Sequence, residues 1–66
     1  MSADLSRSQT ERLIDEWIPH ERNRAILRRR LLDGITYERL AEEFDMSVRQ
    51  IKRIVYKCEE TIFHHV

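Results

Sequence analysis

From Leu13 onward, apolar residues recur at steps of three and four, and the recurrence is interrupted at Pro19, Gly34 and Asp45. That spacing lines one face of an α-helix, and the interruptions divide the chain into four helices. The first is expected over about 9–18, with Leu13, Ile14, Trp17 and Ile18 on one side and Ser8 and Glu11 at capping-box spacing. Trp17 follows Leu13 and Ile14 at helical steps, which places it in the core rather than on a base-stacking surface. Pro19 lacks an N–H and disfavours helical geometry at Ile18, so a second helix starts after the break and runs over about 20–33. Its inner face is Ile26, Leu27, Leu31 and Leu32, with Ala25 at the margin, and Gly34 suits the left-handed position beyond its last turn. Thr36 caps a third helix, 37–44, which turns Leu40, Ala41 and Phe44 inward while Ile35 closes over Leu40. Ser47, with Gln50 three residues on, caps a fourth over 48–63, whose stripe is Val48, Ile51, Val55, Cys58 and Ile62, widened by Ile54. Residues 1–7 show no period and read as a flexible lead-in to a single domain spanning 1–66. The expected fold is all-α, a three- to four-helix domain ending in a helix-turn-helix.

Composition narrows this picture. Sixty-six residues make one domain with a modest core, and one Gly and one Pro argue against a turn-rich β fold. The formal net charge of zero counts against an indiscriminate polyanion binder. The signs are segregated, however. Ser47 to Lys57 holds Arg49, Lys52, Arg53 and Lys57 with no acid, whereas Glu38 to Asp45 holds four acids against Arg39. Arg28, Arg29 and Arg30 fan over most of a helical turn, either as a solvated face whose stems cover the core or as contacts to DNA phosphates.

Chemistry of other kinds finds little footing. A single cysteine makes no internal disulfide, no apolar run reaches a membrane span, and the N-terminus lacks a signal-peptide core, so a cytoplasmic protein is expected. Cys58 lies on the apolar stripe and reads as a small core hydrophobe, not a nucleophile. His64 and His65 point about a hundred degrees apart on a helix and make no trustworthy ligand set with Cys58, and His20 reads as a surface residue. One glycine leaves no phosphate loop. The expectation is no enzyme, no metal and no cofactor.

The last two helices satisfy the recipe for a DNA-reading pair. Ala41 is small where the helices approach, Asp45 tolerates a left-handed turn, and apolar residues flank that turn: Leu40, Phe44, Met46, Ile51 and Ile54. The fourth helix then presents Ser47, Arg49, Gln50, Lys52 and Arg53 from its first turns. An arginine can pair with guanine O6 and N7 through two parallel hydrogen bonds, which suits Arg49 and Arg53. Lys52 and Lys57 suit phosphate, and Thr36 and Ser47 are caps whose helix N-termini can also bond phosphate. Gln50 serves either the cap or an adenine, and Val48 either the core or a thymine methyl.

The segments Gly34-Ile35-Thr36-Tyr37-Glu38, Leu40-Ala41-Glu42-Glu43, Met46-Ser47-Val48 and Ile51-Lys52-Arg53 together resemble region four of bacterial sigma factors. Small stand-alone regulators of bacterial or phage type share the pattern, as does, more distantly, the DNA-binding domain of two-component response regulators. The resemblance covers roughly the C-terminal half and extends weakly over the second helix. It implies a last helix that enters the major groove of double-stranded DNA, base-reading positions at Val48, Arg49, Lys52 and Arg53, and backbone contacts at Thr36, Tyr37 and Ser47. It also implies RNA polymerase as a second partner. Asp45 stands where the family carries a turn glycine, and the chain has none of the other regions of a complete sigma factor, so a self-sufficient initiation factor is not expected.

The rival expectation is a protein-interaction module of the same fold that contacts RNA polymerase or another regulator, motivated by the zero net charge and the acidic third helix. Ile62, Phe63 and Val66 either seal the first helix or form a self-association surface. A homodimer would read a palindrome with half-sites about 34–36 Å apart.

Overall fold

A serine three residues ahead of a glutamine occurs at Ser6–Gln9, two residues before the Ser8–Glu11 spacing, and the earlier pair is the one that caps the first helix. In the computed structural model, which describes residues 6–64, this helix, α1, spans Arg7–Trp17. The Ser6 hydroxyl accepts from the Gln9 N–H at 3.2 Å, and the Gln9 carboxamide oxygen accepts from the Ser6 N–H at 3.0 Å. Arg7 reinforces this start by donating to the Leu32 carbonyl at 2.9 Å and to Asp33 at 3.3 Å. Within the expected lead-in, residues 6 and 7 are thus cap and helix, and residues 1–5 lie outside the described ones.

Ile14 and Ile18, one turn apart, are the buried residues of this first segment, and Leu13 packs against them from the side. Trp17 is a correction. It is 42% exposed, because Ile18 leaves the helix in an extended conformation just before Pro19 and takes the core position instead.

The second helix departs from a continuous α-helix. α2 spans Glu21–Leu27, with His20 as its N-cap, and passes directly into a π-helical segment, Arg28–Leu32. In that segment the hydrogen bonds skip one extra residue, as from the Asp33 N–H to the Arg28 carbonyl at 3.3 Å. The wider turn rotates the side chains that follow. Ile26 and Leu27 are fully buried, whereas Leu31 and Leu32 are only half-buried. Gly34 closes the segment at φ 69°, and a Cβ placed there would meet nothing within 4 Å, so the glycine serves backbone conformation rather than space.

Thr36 starts α3, Tyr37–Phe44, its hydroxyl accepting from the Arg39 N–H at 3.2 Å. The helix ends in a Schellman arrangement: Met46 N–H to Ala41 carbonyl at 2.9 Å and Asp45 N–H to Glu42 carbonyl at 3.4 Å. Asp45 occupies the left-handed position at φ 54°, ψ 50°. Ser47 and Gln50 then form a complete capping box for α4, Val48–His64.

Ile51, Val55, Cys58 and Ile62 of α4 meet Ile14 and Ile18 from the first segment, Ile26 and Leu27 of α2, and Leu40 and Ala41 of α3 in one core. Ile62 lies in that core, while Phe63 is 55% exposed and Val66 lies outside the described residues. Among the described residues the fold is all-α, with no strand: α1, α2 with its π-helical continuation, α3 and α4.

Candidate nucleic-acid interface

An α-helix turns about 100° per residue, so the buried quartet of α4 fixes where its other side chains point. Arg49 and Arg53, together with Tyr56, lie opposite that quartet and are exposed. Lys52 and Gln50 lie to either side of this crest. Among the described residues, Arg49, Arg53 and Lys57 make no hydrogen bond or ion pair through their side chains, and nothing acidic lies between Ser47 and Lys57.

Four cations of α2 and its π-helical segment, Arg24, Arg28, Arg29 and Arg30, are in the opposite state. Arg24 donates to the carbonyls of Ile18 at 2.9 Å and Pro19 at 2.8 Å. Arg28 pairs with Asp15. Arg29 grips Glu43 through two nitrogens, one of them Nε at 3.1 Å, and reaches Asp33 at 3.4 Å. Arg30 donates to the Ile35 carbonyl at 3.0 Å. Arg28–Arg30 are engaged within the molecule, binding α2 and its π-helical segment to α1 and α3, while the Arg28 and Arg29 side chains stay 42% and 38% exposed. The Arg29 hydrogen bond holds the Glu43 carboxyl below its ordinary value, and the same bond raises the Arg29 guanidinium.

One flank of α4 converges on Tyr37. The Arg30 guanidinium lies 4.2 Å from the centroid of its ring, and the Lys52 ammonium lies 5.6 Å from it. Tyr56 meets the same ring edge-to-face, with centroids 6.2 Å apart. A cation over an aromatic face is attracted by the ring quadrupole, so Tyr37 steers Lys52 along this flank. Thr36 and Ser47 are exposed and their hydroxyls are engaged in the caps. The Gln50 carboxamide oxygen accepts from the Ser47 N–H at 3.0 Å and from its hydroxyl at 3.3 Å, which leaves only its NH2 for another partner. Val48 is half-buried against the core.

The other flank borders a groove of about 320 Å³ between α2 and α4. Arg22, Arg53 and Lys57 supply its charge, and Met46, Ile54 and Cys58 its apolar lining. Sequence reasoning gave Arg22 no role and did not foresee the stacking of Arg30 on Tyr37. Arg22 precedes Ile26 by one helical turn and so continues the α2 face that packs on α4, a signal present in the spacing; the Arg30–Tyr37 stacking has no such local signal.

Burial raises the Cys58 thiol above its ordinary value, which keeps it protonated. Among the described residues, no group of three or more His, Cys, Asp or Glu is placed to hold a metal ion, and no helix is long and apolar enough to cross a membrane. Compared with known proteins, the chain matches no family model, no curated protein and no solved structure.

Proposed function

We propose that this chain is a sequence-specific double-stranded DNA-binding protein, a small cytoplasmic transcriptional regulator. In this reading α3 and α4 act as a helix-turn-helix, and α4 enters the major groove over residues 48–57. The observation that carries it is the division of the cations: Arg24, Arg28, Arg29 and Arg30 are spent inside the molecule, while Arg49, Arg53 and Lys57 stand exposed on the acid-free stretch 48–57 of α4. Arg49 and Arg53 read base edges, Lys57 and the Tyr37-steered Lys52 hold phosphates, and the Gln50 NH2 reaches an acceptor beside the cap. Thr36 and Ser47 cap the two helices and offer their N-termini to phosphate. Val48 belongs chiefly to the core. The protonated, buried thiol supports a role without catalysis.

The test is a binding site selected from random DNA, titrated against the wild-type chain and its variants. Affinity is expected to fall steeply with salt through counterion release. Arg49→Ala and Arg53→Ala are each expected to cost about 1–3 kcal/mol on the selected site and to relax its base preference. Wild-type affinity and preference in both variants would remove α4 as the reading helix.

A second reading keeps the fold and changes the partner to RNA polymerase or another regulator. The exposed carboxylates of Glu38 and Glu42 on α3 favour it. It requires that the chain ignore mixed-sequence duplex at low salt.

A further inference from the structure

The major groove is about 12 Å wide, and an α-helix with its side chains is about 10–12 Å across. A helix lying in that groove therefore brings each of its flanks to a different sugar–phosphate backbone. On α4 the two flanks are built differently. One is the Tyr37 cluster with Lys52. The other is the groove between α2 and α4, where Arg53 and Lys57 face Arg22 across an apolar lining and no acid takes part.

Resting on the DNA-binding reading, we propose that this groove seats the backbone of the second strand, with Arg22 as a phosphate contact contributed by α2. Arg22 is exposed and makes no hydrogen bond or ion pair among the described residues, whereas its neighbour Arg24 is committed to the Ile18 and Pro19 carbonyls. The deoxyribose faces are apolar enough to lie on Met46 and Ile54, and the phosphates beside them meet Arg22 and Lys57, one cation from each helix, while Arg53 reaches past them to the base edges. The interface then extends beyond the α3–α4 pair, and α2 fixes how deeply α4 sits.

The experiment is fluorescence anisotropy of a labelled mixed-sequence duplex, recorded across a salt series, with the full-length chain. Loss of one phosphate contact makes the slope of log affinity against log salt shallower by about 0.9, which is about a threefold change in relative affinity between roughly 50 and 200 mM salt. Arg22→Ala is expected to show that change and to leave base preference on a selected site as in the wild type. Arg22→Lys is expected to keep the wild-type slope, as is Arg12→Ala, which removes an exposed α1 arginine outside the groove. A wild-type slope in Arg22→Ala, in a protein whose Arg49→Ala variant binds more weakly, overturns the inference alone and leaves the groove to another anionic partner such as an acidic protein segment. A wild-type chain that binds no duplex at low salt overturns it together with the reading beneath it.

Discussion

Asp45 holds a left-handed backbone that costs most L-residues about 1–2 kcal/mol, a cost its short polar side chain reduces. Asp45→Gly is expected to raise the unfolding free energy by about 0.5–1 kcal/mol, and Asp45→Val to lower it by about 1–2 kcal/mol, both read from urea titrations. This position was legible in the sequence because turn conformation is decided locally, by one residue and its immediate hydrogen bonds. Gly34, Thr36 and the Ser47–Gln50 box were legible for the same reason. The start of α1 was ambiguous, since Ser6–Gln9 and Ser8–Glu11 offer equivalent spacings, and what distinguishes them is Arg7 reaching Leu32 and Asp33. Trp17 was misplaced because periodicity does not say which of two adjacent apolar residues, Trp17 or Ile18, takes the last inward position.

At the scale of elements, the Arg29–Glu43 pair joins the π-helical segment to α3 across fourteen positions of sequence. Glu43 has a folded-state pKa below its ordinary value near 4.5, so the pair contributes stability above that value and loses it as pH falls through the folded one. The raised Arg29 has the opposite sign, with a contribution present below its ordinary value and lost only at extreme alkaline pH. Acid titration of stability is therefore expected to fall below about pH 4.5, and Glu43→Gln to flatten that limb, as followed by circular dichroism. Both side chains are partly exposed, so salt should weaken the effect. The third and fourth helices were legible almost to the residue, because their stripes are regular. The π-helical turn was not, since Leu27 and Leu31 keep an α-helical spacing in the sequence and nothing local reports the skipped bond. For the candidate interface, the positions on α4 could be read from spacing, while the state of each arginine could not: it depends on acids brought close only by the fold.

Taken whole, the molecule rests on few side chains. Among the described residues, Ile14, Ile26, Leu27, Leu40, Ile51, Val55 and Ile62 are the fully buried large ones. Truncating one such residue to alanine costs about 2–5 kcal/mol, against a total that scales as about 0.05–0.15 kcal/mol per residue. Ile51→Ala, in the first turn of α4, is thus expected to leave the chain largely unfolded at 37 °C by circular dichroism, and an alanine there cannot serve as a functional control. The division between spent and available cations also acts at this scale. With zero formal charge overall, the chain has a separation of charge rather than a surplus. A distant polyanion exerts little net pull on such a body. Within about a Debye length, near 10 Å at 0.1 M salt, it exerts chiefly a torque. Under the proposed DNA-binding role, orientation rather than attraction governs the productive encounter, with the acid-free stretch 48–57 of α4 turned toward the polyanion.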